Sequence, residues 1–118
     1  MKLRFRKNSL RLRVNRLEVE RLAAGQELAE TISFAGGATL DYILTPSAEA
    51  RWAADFDGKA IRVTAPLGDW ARGVETGFYF DVEPGLKVAV EKTWNAWMGL
   101  RKKEIHTPFP ALKLAEVA

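Results

Sequence analysis

The chain has 118 residues, of which 47% are hydrophobic and 28% are charged, and we expect one folded domain over residues 1–118 rather than a disordered chain. It contains no cysteine, which excludes a disulfide framework, a thiolate metal site and a cysteine nucleophile. The net charge of +3 conceals a basic opening, because the first sixteen residues carry seven basic side chains and no acidic one.

We expect a soluble, cytoplasmic protein with no membrane association. The opening is basic like the start of a signal peptide, but no apolar run of about seven residues follows it. The chain also has no apolar stretch of about 18 residues, the length that suggests a membrane-spanning helix. The absence of cysteine agrees with a reducing compartment.

Two strands joined by a tight turn are predicted at the start of the chain. Apolar and basic side chains alternate on both sides of Asn8-Ser9, and asparagine suits the first position of a two-residue turn. This register pairs Phe5 with Leu12, which gives the hairpin one apolar face. The other face then carries four arginines as two cross-strand pairs, Arg4 opposite Arg13 and Arg6 opposite Arg11.

Helical segments are predicted at two places. Asn15 is the expected N-cap of the first helix, Glu18 its capping-box partner and Gly25 its end, so about ten residues lie against the sheet. Residues 66–73 predict a second, shorter helical turn, with Asp69 as the candidate cap.

Three further hairpins are predicted, with turns at residues 35–37, at Asp57-Gly58 and at residues 83–85. Asp57-Gly58 is typical of a type I′ turn. The registers that keep the apolar side chains on one face pair Ile32 with Leu40, Trp52 with Val63, Ala54 with Ile61, Phe80 with Val88, and Asp81 with Lys87.

The pattern weakens after the last of these strands. Trp94 and Trp97 either continue the strand or lie on one helical turn. Residues 101–104 predict a charged, solvated loop, and the two prolines in residues 106–110 exclude regular structure there.

These elements together predict an α+β fold. We expect a mainly antiparallel, curved sheet or partly open barrel of about seven strands, with one short helix after the N-terminal hairpin. Trp52 is expected in the core, because it lies on the inward face of its strand.

No catalytic residue, metal site or cofactor site is predicted. His106 is the only histidine, and no cysteine or pair of acidic residues lies near it at a ligand spacing. Residues 35–37 join two strands, whereas a phosphate-binding loop joins a strand to a helix. Trp94 and Trp97 would offer stacking surfaces if exposed, but tryptophans are more often buried.

The four arginines need an anionic neighbour, because like charges directly across a sheet destabilise it. The protein's own carboxylates at Glu18, Glu20 or Glu91 are one candidate, and an acidic partner or nucleic-acid phosphate is another. We favour internal or subunit pairing, because no aromatic RNA-binding motif is interleaved with the basic residues.

Several short motifs carry a family resemblance. They are Asn8-Ser9-Leu10-Arg11-Leu12-Arg13, Ile61-Arg62-Val63 ahead of Pro66 and Trp70, Gly77-Phe78, and Val90-Glu91-Lys92. With these motifs, most of the chain resembles a family of small uncharacterised bacterial proteins, a domain of unknown function. The resemblance implies a stand-alone bacterial protein and supplies no activity, but it marks Arg11, Arg13, Glu91 and Lys92 as positions to test.

Our leading hypothesis is a non-enzymatic binding or protein-interaction module, with an acidic protein partner or a homodimer formed through an edge strand or the arginine-rich face. The candidate anion- or partner-binding residues are Arg4, Arg6, Arg11, Arg13, Glu91 and Lys92. Nucleic-acid or polyanion binding through the basic hairpin is one alternative. A small-ligand or enzymatic pocket within the sheet is another, and it rests on architecture alone.

Overall fold

A computed structural model describes residues 1–93 of the chain as eight strands and two short helices. In chain order the elements are β1 (Lys2–Arg6), β2 (Ser9–Val14), α1 (Arg16–Ala23), β3 (Leu28–Ser33), a 3-10 turn (Ala35–Gly37), β4 (Thr39–Pro46), β5 (Ala53–Phe56), β6 (Ala60–Ala65), α2 (Gly68–Arg72), β7 (Gly77–Val82) and β8 (Leu86–Lys92). The predictions for Trp94, Trp97, the loop 101–104, His106, the segment 106–110 and the tail lie outside the described residues.

The strands form two four-stranded sheets with the same plan. The first sheet has the strand order β1-β2-β8-β7, and the second has the order β3-β4-β6-β5. Each sheet consists of two antiparallel hairpins that lie side by side and are joined through a parallel pair, β2 with β8 or β4 with β6.

This arrangement corrects the predicted sheet. The α+β class agrees, but residues 1–93 form eight strands in two mixed sheets, rather than about seven strands in one mainly antiparallel curved sheet or partly open barrel. Each hairpin is specified by a nearby turn, whereas the parallel pairs join segments that are distant in the chain. The alternation of side chains therefore predicted the hairpins and not the way in which they associate.

Two of the predicted registers are confirmed. Ile32 lies opposite Leu40 across the turn at residues 35–37. In the last hairpin, Phe80 lies opposite Val88, and Asp81 lies opposite Lys87 as predicted.

The predicted register of the first hairpin is wrong by two residues. Phe5 pairs with Leu10 instead of Leu12, because the turn is formed by Lys7 and Asn8 and not by Asn8 and Ser9. Lys7 adopts the left-handed conformation with φ of 52°, so a residue other than asparagine takes the first turn position. A shift of two residues preserves the faces of a strand, and the basic side chains therefore remain together.

The Asp57-Gly58 hairpin shows the same kind of shift. Ala54 pairs with Val63 instead of Ile61, so the loop is longer than a two-residue type I′ turn. The Asp57 carboxylate accepts hydrogen bonds from the backbone amides of Lys59 and Ala60, both at 2.8 Å. These contacts stabilise the longer loop and hold the pKa of Asp57 below its ordinary value.

Helix α1 begins as predicted. The Asn15 side chain accepts from the Glu18 amide, and the Glu18 carboxylate accepts from the Asn15 amide, both at 2.9 Å. The second helix differs, because Leu67 occupies the N-cap position. Asp69 instead accepts a hydrogen bond from the Arg72 guanidinium at 2.9 Å.

The inner faces of both sheets and the two helices share one hydrophobic cluster. Its largest fully buried side chains are Leu12, Leu22, Leu44, Leu67, Val14, Val19, Val63 and Val90. The prediction that Trp52 lies in the core is wrong, since its side chain is 51% exposed. Trp52 precedes the edge strand β5 and contacts Phe80 at 6.2 Å between ring centroids, so only part of the ring is covered.

Candidate functional site

The basic residues of the first hairpin gather on the outer face of the first sheet. Side chains alternate along a strand, so every second residue of β1 and β2 points away from the core. Because the four strands are in register, the outward residues form three rows across the sheet. The rows are Lys2-Arg13-Glu91-Gly77, Arg4-Arg11-Ala89-Tyr79 and Arg6-Ser9-Lys87-Asp81, and we call this surface the basic face.

Charge is concentrated on this surface. The three rows hold six basic and two acidic side chains, a net charge of +4. The outward positions of the second sheet carry one basic residue, Arg62, and two acidic residues, Asp41 and Asp55, a net charge of −1. A concentration of one sign on one side of a small protein attracts ligands of the opposite sign.

Glu91 is the carboxylate of the basic face that contacts its arginines. Its Oε1 lies 3.4 Å from Nε of Arg11 and 3.5 Å from Nε of Arg13. Its Oε2 accepts a hydrogen bond of 3.2 Å from the Tyr79 hydroxyl. The side chain of Glu91 is 13% exposed, so it is held among these groups. The structure therefore brings together three of the predicted site residues, from the two ends of the described chain.

The other two carboxylates that we considered as neighbours of the arginines point elsewhere. Glu18 binds the Asn15 amide and the α-amino group of Met1. Glu20 forms an ion pair with Arg16 at 3.6 Å on the helix surface. Glu91 is thus the acidic candidate that reaches the basic face.

Three basic residues of the basic face do not pair with a carboxylate of residues 1–93. Lys2, Arg4 and Arg6 are exposed, and no carboxylate of residues 1–93 forms an ion pair with them. Arg4 also lies directly opposite Arg11. This end of the face therefore carries positive charge that the described part of the chain does not neutralise.

Tyr79 is a member of the basic face that sequence reasoning missed. Its side chain is 50% exposed, and its hydroxyl reaches Glu91. A β-carbon on Gly77 would lie 2.3 Å from the Tyr79 hydroxyl oxygen and 2.5 Å from Cζ. The ring therefore lies down along β7, over a glycine. A glycine two positions before an aromatic residue on the same face of a strand is the sequence signal that indicates this packing.

Lys92 does not belong to the basic face, although we predicted it as a site residue. It points to the opposite side of β8 and is 4% exposed. Its Nζ donates to the carbonyl oxygens of Trp70 at 2.9 Å and Gly73 at 3.0 Å, and lies 4.7 Å from the centre of the Trp70 ring. Burial lowers the pKa of Lys92, against the opposing effect of Glu75. Lys92 thus attaches the end of α2 to the first sheet.

A second group of charges surrounds the amino group of Met1. This group contacts Glu18 and lies 3.0 Å from Glu30, and the Tyr42 hydroxyl donates to the Met1 carbonyl oxygen at 3.1 Å. Burial opposes the charge of the amino group, but the hydrogen bonds to the two carboxylates outweigh it and raise the pKa. These contacts fix the start of β1 and hence the position of the arginines that follow.

Within residues 1–93, no group of three or more histidine, cysteine, aspartate or glutamate side chains is arranged to hold a metal ion. Neither helix of this part of the chain has the length and apolar character needed to cross a membrane.

Two mixed four-stranded sheets, of which the first has a net positive outer face, define a small, β-rich α+β protein with a basic sheet surface. The chain belongs to a family of unknown function, DUF7009, whose model matches residues 1–107. No curated protein and no solved structure matches the chain. The family carries no assigned activity, so a functional proposal has to come from the geometry of the basic face.

Proposed function

We propose that this protein is a non-enzymatic binding module that takes an anionic macromolecule on its basic face. The observation that carries the proposal is the imbalance of charge on that face. Glu91 lies between Arg11 and Arg13, whereas Arg4 and Arg6 have no carboxylate neighbour among residues 1–93.

An anionic partner would reduce the repulsion between arginines that face each other across β1 and β2. Arg4 lies opposite Arg11 in the antiparallel pair, and like charges in this position are destabilising. Guanidinium groups bind carboxylates and phosphates through two parallel hydrogen bonds, which lysine does not provide. Four arginines on two adjacent strands therefore suit a partner with repeated anionic groups.

A second copy of the chain does not suit this face. In a two-fold dimer the same surface of both subunits comes into contact, which would bring a net charge of +4 against +4. A dimer would have to use another surface, such as an edge strand. We therefore place the anionic partner, and not a second subunit, on the basic face.

The test is a titration with two simple polyanions, poly-L-glutamate and inorganic polyphosphate, at salt concentrations between about 50 and 200 mM. Affinity should fall steeply as salt rises. Replacing both Arg4 and Arg6 by alanine should weaken binding and reduce the slope of log affinity against log salt by about 2 for polyphosphate.

The matched control is Arg62→Ala, which removes an exposed arginine from the outer face of the second sheet. This variant should bind as the unmodified protein does. Circular dichroism should show that all variants are folded. Absence of binding to both polyanions, or binding that does not depend on salt, would overturn the proposal.

A further inference from the structure

The basic face carries an aromatic side chain in the same row as two of its arginines. The row runs Arg4, Arg11, Ala89, Tyr79 across the four strands of the first sheet. Tyr79 is the aromatic residue among the outward positions of these strands. An exposed ring and two guanidinium groups therefore share one row of this face.

The Tyr79 ring is held in a defined position. It lies over Gly77, in the space that any larger side chain would fill. Its hydroxyl donates to Glu91, and Glu91 is itself bound by Arg11 and Arg13. These contacts lay the ring along the strand while half of its surface stays exposed. An aromatic ring in this arrangement has the form of a stacking platform.

The distance between the ring and the arginines suits a chain that carries both flat rings and negative charges. Neighbouring strands are about 4.8 Å apart, so Tyr79 lies about 10 Å from Arg11 and about 14 Å from Arg4 along the row. The small side chain of Ala89 lies between Arg11 and Tyr79, and leaves a shallow floor there. Phosphates can therefore lie at the arginine end while a base covers the ring.

We propose that the partner of the basic face is single-stranded nucleic acid, with phosphates on Arg4, Arg6 and Arg11 and a base stacked on Tyr79. This inference rests on the proposed function and names its partner. A polymer with carboxylates alone, such as poly-L-glutamate, would contact the arginines but has no flat ring to stack on Tyr79. Duplex nucleic acid keeps its bases stacked on one another and offers none to Tyr79, whereas single strands expose them.

Glu91 has two effects in this arrangement. It neutralises part of the charge of Arg11 and Arg13, and it holds the Tyr79 hydroxyl. Among residues 1–93, no carboxylate pairs with Arg4 and Arg6, at the far end of the face. This separates a phosphate-binding end on β1 and β2 from a base-binding end on β7.

The experiment compares a labelled oligothymidylate of about 15 nucleotides with inorganic polyphosphate, which has charges but no bases. Tyr79→Leu should weaken oligothymidylate binding by about five- to hundredfold, because stacking of one base is lost. It should change polyphosphate binding by less than about twofold, because the basic residues remain.

Tyr79→Phe keeps the ring and loses the hydroxyl contact with Glu91. It should therefore retain most of the oligothymidylate affinity, and it shows whether a loss in Tyr79→Leu comes from the missing ring or from a disturbed fold. The matched control is Phe56→Leu, which removes an exposed ring from β5 in the second sheet. This control should leave binding of oligothymidylate unchanged.

The outcomes separate this inference from the proposed function. One outcome is that the protein binds both oligothymidylate and polyphosphate, with Tyr79→Leu weakening both equally or weakening neither. That result would overturn single-stranded nucleic acid as the partner and leave the anion-binding function standing. Binding of poly-L-glutamate but not of oligothymidylate would do the same and point to an acidic protein. Absence of binding to every polyanion would overturn both.

Discussion

Replacement of Gly77 by alanine tests the packing that holds the Tyr79 ring. The new β-carbon would lie 2.3 Å from the Tyr79 hydroxyl oxygen, well inside contact distance. The Tyr79 side chain must then leave its place along β7 and lose its hydrogen bond to Glu91. Since all of these atoms belong to the outer face, the core should remain intact.

The expected change in the free energy of unfolding for Gly77→Ala follows from two opposing contributions. A hydrogen bond to a charged group contributes about 1.5–3 kcal/mol when buried, and we take about 1 kcal/mol because Tyr79 is half exposed. Alanine in place of Gly77, by itself, stabilises an extended backbone by about 0.5 kcal/mol because it restricts the unfolded chain. We expect Gly77→Ala to lower the free energy of unfolding slightly, by roughly 0.5 kcal/mol.

The decisive measurement is a double-mutant cycle with Tyr79→Ala, followed by urea denaturation of the four proteins. When the ring is absent, Gly77→Ala should become neutral or stabilising. The coupling between the two positions should then be about 1 kcal/mol. Additive effects, within about 0.3 kcal/mol, would refute the packing of Tyr79 over Gly77 and with it the fixed position of the ring.

Two further predictions concern the local structure that supports the face. Asn15→Ala should lower the free energy of unfolding by about 1 kcal/mol in urea denaturation, because the capping box with Glu18 is lost; an unchanged midpoint would contradict this role. Hydrogen bonds from the amides of Ala60 and Lys59 lower the pKa of Asp57, so its contribution to stability is present above pH 3.8 and is lost as pH falls through the folded-state pKa. The midpoint of urea unfolding should therefore decline as the pH falls through this acid range. Asp57→Asn should reduce the decline, because the titrating carboxylate is gone. An equal pH dependence in both proteins would contradict this contribution of Asp57.

Much of the local structure could be predicted because its causes lie within a few residues. The capping box needs Asn15 and Glu18 alone, and the confirmed turn at residues 83–85 lies directly between its two strands. Local patterns did not give the exact register of the first hairpin and of the hairpin at Asp57-Gly58, which both differ from the prediction by two residues. A shift of two leaves every side chain on its own face, so alternation cannot distinguish between such registers.

The basic face was predictable in part. The four arginines share a face in either register of the first hairpin, and Glu91 was one of three candidate acids. What alternation within β1 and β2 cannot show is which strand lies next to them. The parallel pairing of β2 with β8 places Glu91 beside Arg13 and directs Lys92 into the core.

The sequence by itself determined the hairpins, the capping box of α1 and the two faces of each strand, because these depend on the chemistry of near neighbours and on a period of two. The tertiary structure alone decided how the hairpins join, and therefore which charges meet on the outer surface. It also placed the Tyr79 hydroxyl beside Glu91, and so among those charges. Such contacts depend on the packing of segments far apart in the chain, which no local pattern encodes.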